Sequence, residues 1–251
     1  MNQNALAVGV DVGGSSIKSA VVDLSSGDFT VARRSVPTPA HGPVAAMLES
    51  IATVVSEFDP GLSVGIAFPS VIRAGIVETA ANINKDWIGQ PLTSLAQKRL
   101  ARQVTAINDA DAAGLAEVKC GAARDIKGLV LVLTLGTGIG SALFLDSHLI
   151  GNSELGHLQV DGQEAEQRAA GRVRTESNLS WDQWSAGLSR VLQEYQALLW
   201  PELIVLCGGI TDDAPQFLDK LVCRAPLRIG KLRADAGIVG AALATAATGP
   251  R

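Results

Sequence analysis

A chain of 251 residues can form one large domain or two small ones, and 47% hydrophobic against 18% charged residues marks it as ordered rather than disordered. The formal net charge of -4 excludes bulk non-specific nucleic-acid binding, while leaving room for a local basic groove that holds a polyanion. Cys120, Cys207 and Cys223 form no C-x-x-C pair and no even framework, which suits free thiols in a reducing cytosol. No apolar run approaches the roughly 20 residues that span a bilayer, and "MNQNALAVGVDVGG" lacks the basic and apolar regions of a signal peptide. A cytoplasmic protein without a membrane or nucleic-acid partner is expected.

In chain order, "ALAVGVDV" (5–12), "IKSAVVDL" (17–24) and "FTVARRSV" (29–36) read as an antiparallel meander joined by tight turns. "PTPAHGP" breaks it, and "VAAMLESIATVVSEF" (44–58) has the apolar spacing of a helix. "LSVGIAFP" (62–69) reads as a buried strand, "LTSLAQKRLARQ" (92–103) as a helix, "VTAIND" (104–109) as a strand and 110–122 as the helix after it. The second half begins again with a strand, "GLVLVLTL" (128–135), a turn, "GTGIG" (136–140), and a strand, "SALFLD" (141–146). Helical segments are expected near 163–176 and 182–199, then a strand, "ELIVLCGG" (202–209), and a closing helix, "DAGIVGAALATAA" (235–247). A shift of about 123 positions lays Asp11 on Thr134, Gly13 on Gly136 and Asp23 on Asp146. Two ordinary hairpins would explain that much; a duplicated α/β domain with a cleft between the copies explains more.

Glycine turns carry the first chemistry. In "DVGGSSIK" (11–18), Gly13 and Gly14 let backbone N–H groups approach an anion, and Ser15, Ser16 and Lys18 add donors and charge. Asp11 would repel a phosphate directly, so its natural role is to hold Mg²⁺ through water. This is neither a Walker A pattern nor a G-x-G-x-x-G that opens a helix, because a second strand follows. Gly136, Thr137 and Gly138 make a second such turn, and Gly208 and Gly209 in "CGGI" a third. One glycine turn is weak evidence. Three, each at a strand end, describe a phosphate-lined cleft.

With these motifs assembled, the chain resembles the ROK sugar-kinase family of actin-like, hexokinase-like phosphotransferases. "GVDVGGSSIK", "LTLGTGIGSALFLDSHLIGNSELGH" (133–157) and "CGGI" carry the likeness, which covers nearly the whole chain. "AANINKDWIG" (80–89), "INDADAAGLAE" (107–117) and "LGTGIGSALF" look most like the actinobacterial polyphosphate glucokinases of that family. The resemblance implies a duplicated ribonuclease-H-like (actin/hexokinase-like) two-domain α/β fold with a central cleft. Its N-terminal domain would be 1–110, joined by a C-terminal helix at about 236–251, and its C-terminal domain 111–235.

A sugar hydroxyl attacking phosphorus needs its proton removed, and a placed carboxylate does this in many kinases. The resemblance gives that task to Asp109, with Asn108 beside it, and leaves Asp111 to the helix dipole. It assigns Glu154, His157 and Glu166 to sugar hydroxyls, and prefers Asn82, ahead of Trp87, to Asn84. Lys18 and Lys85 are candidates for a polyphosphate track; a solvated surface lysine is the plain alternative for Lys85. Between His157 and Glu166, where many family members carry a cysteine-rich zinc motif, "HLQVDGQEAE" has no cysteine, so no zinc is expected. Ser70, Ser16 and Ser19 stand where relatives favour glycine, which would narrow the sugar pocket or change the donor's approach.

The expected activity is transfer of a terminal phosphoryl group to the 6-hydroxyl of glucose from polyphosphate or ATP, with Mg²⁺, by a homodimer. The choice between donors, and the acceptance of mannose, stay open. A strictly ATP-dependent hexose kinase is one alternative. A sugar-responsive ROK transcription regulator is another, and would need a helix-turn-helix ahead of the first strand, where no room is expected. An actin-like ATPase leaves Asn82, Glu154 and His157 unexplained.

Overall fold

The computed structural model describes residues 6–81 and 83–247. The chain divides into two compact units, Met1–Ala116 with Asp235–Arg251, and Glu117–Ala234. In the first, strands β1 (Leu6–Val12), β2 (Ser16–Asp23) and β3 (Arg34–Pro37) precede helix α1 (Val44–Val55) and strand β4 (Val64–Phe68). A small hairpin, β5 (Ile72–Arg73) with β6 (Ile76–Val77), leads to α2 (Leu92–Leu100), β7 (Val104–Asn108) and α3 (Asp109–Lys119). The sheet order is β3-β2-β1-β4-β7, antiparallel through the first three strands and parallel beyond β1. β4 is buried at every position, as a parallel strand covered on both faces must be. α1 buries Met47, Ile51, Val54 and Val55, one stripe at helical spacing.

The second unit repeats the plan. It holds β8 (Leu129–Leu135), β9 (Ile139–Leu145), β10 (His148–Ile150), the short pair β11 (Gln159–Val160) and β12 (Gln163–Glu164), then α4 (Ala165–Ala169) and α5 (Gly171–Glu176). α6 (Trp181–Leu199), β13 (Leu203–Cys207), α7 (Ala214–Phe217) and β14 (Leu227–Ile229) complete it, and α8 (Ala236–Ala247) returns to the first unit. Its sheet order is β10-β9-β8-β13-β14, with the same pattern of strand directions. A shift of 123 carries Leu6–Val12 onto Leu129–Leu135, so the duplication is present in the strands themselves. α6 opens with a capping box, Ser180 with Gln183, and buries Trp184, Leu188, Val191, Leu192 and Tyr195.

Several expected elements differ in detail. β3 starts at Arg34 rather than 29, because Phe29 makes only an isolated bridge to Val22. The helix expected at 163–176 is a strand and two helices, broken where Ala170 is extended (φ -58, ψ 155). β10 and β14, three residues each, were not expected. Among the described residues no helix is long and apolar enough to cross a membrane.

Candidate active site

The β7–α3 junction separates two tasks that "INDAD" leaves mixed. Asn108, 6% exposed, is the helix cap: its Oδ1 accepts from the N–H groups of Ala110 (2.9 Å) and Asp111 (3.0 Å). Its Nδ2 donates to the Ser70 carbonyl (3.0 Å), tying the cap to the end of the β4 segment. Asn108, expected at the sugar, therefore directs its oxygen and one amide hydrogen to the backbone. Asp111 is buried in the first turn. Asp109 stands at the first helical position, partly exposed, with Oδ1 accepting from the Ala110 N–H at 2.8 Å. The cap does not depend on it.

In the same unit, the 13–16 turn is closed by Gly13 N–H on the Ser16 carbonyl (3.1 Å) and braced by Thr38, whose Oγ1 donates to the Gly13 carbonyl (2.6 Å). Gly14 and Ser15 are exposed, and a Cβ on Gly14 would meet nothing within 4 Å. The turn tip is therefore free to meet a ligand. Asp11 and Lys18 are cross-strand partners. Burial pushes the Asp11 carboxyl above its ordinary range, and Lys18 opposes that shift. A Cβ on Gly237, in the first turn of α8, would come within 2.8 Å of Asp11 Oδ1, so glycine is what lets the helix start lie against this carboxylate. Ser19 is turned into the core, its Oγ on the Val54 carbonyl at 2.8 Å, which removes it from any part in donor approach.

In the second unit, Gly136 N–H closes on the Gly138 carbonyl (3.0 Å), and Gly136 and Thr137 are exposed. Arg172 N–H bonds the Gly136 carbonyl at 3.0 Å. Gly208 has φ +97 and lies so close to the Leu135 backbone that no side chain fits, which sets the 208–209 turn beside the 136–138 turn. Gly209, like Gly136, faces open space.

Glu154, His157 and Glu166 gather in this unit as well. His157 Nε2 is 3.8 Å from Glu154 Oε2, and its Nδ1 is 3.6 Å from Glu164 Oε1. A Cβ on Gly138 would come within 2.5 Å of Glu166 Oε2, so this carboxylate lies directly against the 136–138 turn. Burial raises the Glu154 carboxyl above its ordinary range; His157 opposes this and Glu166 adds to it. Among the described residues, His157, Glu164 and Glu166 are the one set of three potential metal ligands whose donor atoms lie within 4.8 Å of one another. Glu164 had no sequence signal, because it joins the group only through the β11–β12 hairpin. Lys85 is exposed on a short 3-10 turn capped by Asn84 Oδ1 on the Asp86 N–H (2.9 Å) and anchored by Trp87, whose Nε1 donates to the Gly42 carbonyl at 2.9 Å. Ser70 is buried, and its Oγ has no hydrogen-bond partner among the described residues. Asn82 lies outside the described residues.

The model of the ROK family matches residues 7–173, two thirds of the chain. The chain belongs to the ROK family. It is 42% identical over 240 residues to the polyphosphate glucokinase of Mycobacterium tuberculosis, covering 95% of this chain and 91% of that one. The crystal structure of the inorganic polyphosphate/ATP-glucomannokinase of Arthrobacter sp. strain KM matches with a TM-score of 0.94 and 43% identity, over 98% of this chain and 100% of the other. A ROK family transcriptional regulator, a homolog of the Escherichia coli MLC protein, shares the fold with a TM-score of 0.73 at 18% identity, over 96% of this chain and 78% of its own. The ROK fold thus serves kinases and regulators alike, and the site residues have to decide between them.

Proposed function

We propose that this chain is a glucokinase that transfers the terminal phosphoryl group of inorganic polyphosphate or ATP to the 6-hydroxyl of glucose. The observation that carries the reading is the β7–α3 junction. Asn108 caps the helix, and beside it, at the end of the strand, stands the partly exposed carboxylate of Asp109. Asp109 takes the proton of the 6-hydroxyl as that oxygen attacks the terminal phosphorus. The bond from phosphorus to the bridging oxygen breaks, and a shortened polyphosphate or ADP leaves.

Glu154 and Glu166 accept from sugar hydroxyls while His157 helps fix the ring. Asn82 is assigned to a further hydroxyl on the family resemblance alone. Gly13, Gly14, Ser15, Ser16 and Lys18, with Gly136, Thr137, Gly138, Gly208 and Gly209, hold the donor through backbone N–H groups, hydroxyls and one positive charge. Asp11 fits a role in holding Mg²⁺ through water, since a buried carboxylate whose proton affinity is raised favours a cation nearby. When bound, that ion neutralises charge on the transferred group. Zinc has no part in this reading: His157, Glu164 and Glu166 supply one nitrogen and two carboxylates, not the four N/S ligands of a structural zinc. Elemental analysis of the purified protein finding stoichiometric zinc would contradict that. A homodimer acting in the cytoplasm, with mannose as a second substrate to be tried, completes the proposal.

The test is glucose 6-phosphate formation by the purified chain with ATP or polyphosphate as sole donor. Product with either donor supports the kinase, and product with both supports the dual reading. None with either, alongside sugar-dependent DNA binding, would favour the regulator.

A further inference from the structure

The four residues from Glu154 to His157 must hold two side chains toward one sugar, yet the turn that carries them is short and partly exposed. Its middle is clamped. Leu155 N–H donates to Ser141 Oγ at 3.0 Å, and the Leu155 carbonyl accepts from the Tyr195 hydroxyl at 2.7 Å. Both polar groups of this residue are thus held by side chains from outside the turn, one on β9 and one on α6.

Each clamp is itself immobilised. Ser141 is 1% exposed; its Oγ donates to the Ser153 carbonyl (2.8 Å), and Ser153 Oγ returns a bond to the Ser141 carbonyl (2.9 Å). Tyr195 is fully buried on the inner face of α6. Gly156 lies so close to the Ile139 carbonyl that no side chain fits there, which presses the turn onto the start of β9. β9 begins directly after the 136–138 turn, so the clamp ties the residues assigned to the sugar to a strand that starts at the donor turn. Burial makes the Tyr195 phenol harder to ionise and the Glu166 charge adds to this, so the hydroxyl stays a neutral donor to the Leu155 carbonyl.

We propose that Tyr195 is a positioning residue for sugar binding: through the Leu155 carbonyl it fixes the turn bearing Glu154 and His157, with Ser141 holding the opposite side of the same residue. The inference rests on the sugar-site reading above. A buried tyrosine that merely satisfies its hydroxyl on the nearest carbonyl would affect stability alone. A positioning tyrosine affects sugar affinity selectively, because Asp109 and the donor turns are held by other contacts.

Tyr195→Phe removes one oxygen and keeps the ring packing, so the variant should fold. The expected result is a rise of about three- to tenfold in glucose KM, the scale of one lost hydrogen bond at a carbonyl that keeps its bond from the Leu158 N–H (3.0 Å). kcat and the donor KM should stay within about twofold. Titration calorimetry with glucose alone should show the same loss of affinity. Ser141→Ala should act in the same direction, and the double variant should lose less than the product of the two single losses, because both hold one residue. Unchanged glucose affinity in Tyr195→Phe would overturn the inference, as would equal losses in glucose KM, donor KM and kcat. A wild-type chain that binds no glucose would bring down the functional reading and this inference together. An active wild type with an indifferent Tyr195→Phe would bring down the inference alone.

Discussion

Adjacent residues at a strand-to-helix junction can divide structure and chemistry between them. Asn108 satisfies two N–H groups of the first turn of α3, so Asp109→Asn should leave the melting temperature nearly unchanged. The same change should lower kcat by roughly 10²–10⁴ with glucose still bound; more than about a tenth of wild-type kcat would exclude Asp109 as the base. Glu154 gives a prediction in pH. Burial raises its carboxyl above the ordinary range of a glutamate, with His157 opposing and Glu166 adding. The ionised form accepts from the sugar, so glucose KM should climb as pH falls, starting above the range of an ordinary glutamate. Stability moves the other way: a raised folded pKa means the fold disfavours the charged form, and protonation as pH falls relieves that cost. Acid should therefore weaken glucose binding before it melts the protein, and Glu154→Gln should remove that limb of the KM profile. Asp109, Glu154 and His157 stood out in the sequence because they lie in compact motifs. Tyr195, Ser141, Thr38 and Glu164 did not, because each acts through a tertiary contact that leaves no local pattern. The cap was the exception: Asn ahead of a helix is a readable signal, hidden here by the two aspartates beside it.

Glycine does two different jobs in these elements. α8 is buried through its middle, residues 238–242, and its backbone comes so close to β4 that a Cβ on Gly65 would overlap the Ala241 carbonyl. The obstacle is backbone inside a packed core, so Gly65→Ala should destabilise by about 1–3 kcal/mol, or more if α8 cannot shift. Thermal or urea unfolding of the variant checks this. Gly14 faces open space, so Gly14→Ala should leave the unfolding transition in place and raise the donor KM instead. Unchanged donor KM would remove Gly14 from the phosphate cradle. Sequence periodicity found the long elements, where apolar stripes are deep and continuous. It missed β10 and β14, which at three residues each are too short to show a period, and it ran α4 and α5 together across Ala170, a residue with no intrinsic tendency to break a helix.

Across the whole chain, duplication was legible because the first hairpin of each half kept its spacing; it blurred afterwards, where Val64 of β4 corresponds in plan to Leu203 of β13 rather than to the residue 123 further on. Charge was less legible. A net charge of -4 has to be reconciled with a long polyanionic donor, which requires positive charge concentrated locally beyond the triphosphate-sized cradle. Lys18 stands at the first turn beside Asp11. Lys85 is exposed, but the turn that carries it is held by the Asn84 cap and the buried Trp87, so its charge has a fixed base rather than a loose one. That arrangement suits a contact to a phosphate beyond the reacting end. Lys85→Ala should therefore weaken use of long polyphosphate more than use of ATP, and added salt should do the same, because the longer donor loses more screened phosphate contacts. The contrast should shrink as the polyphosphate is shortened toward the length of a triphosphate. Equal losses with both donors would move Lys85 to the sugar side of the reaction, and no loss with either would make it a solvated surface lysine.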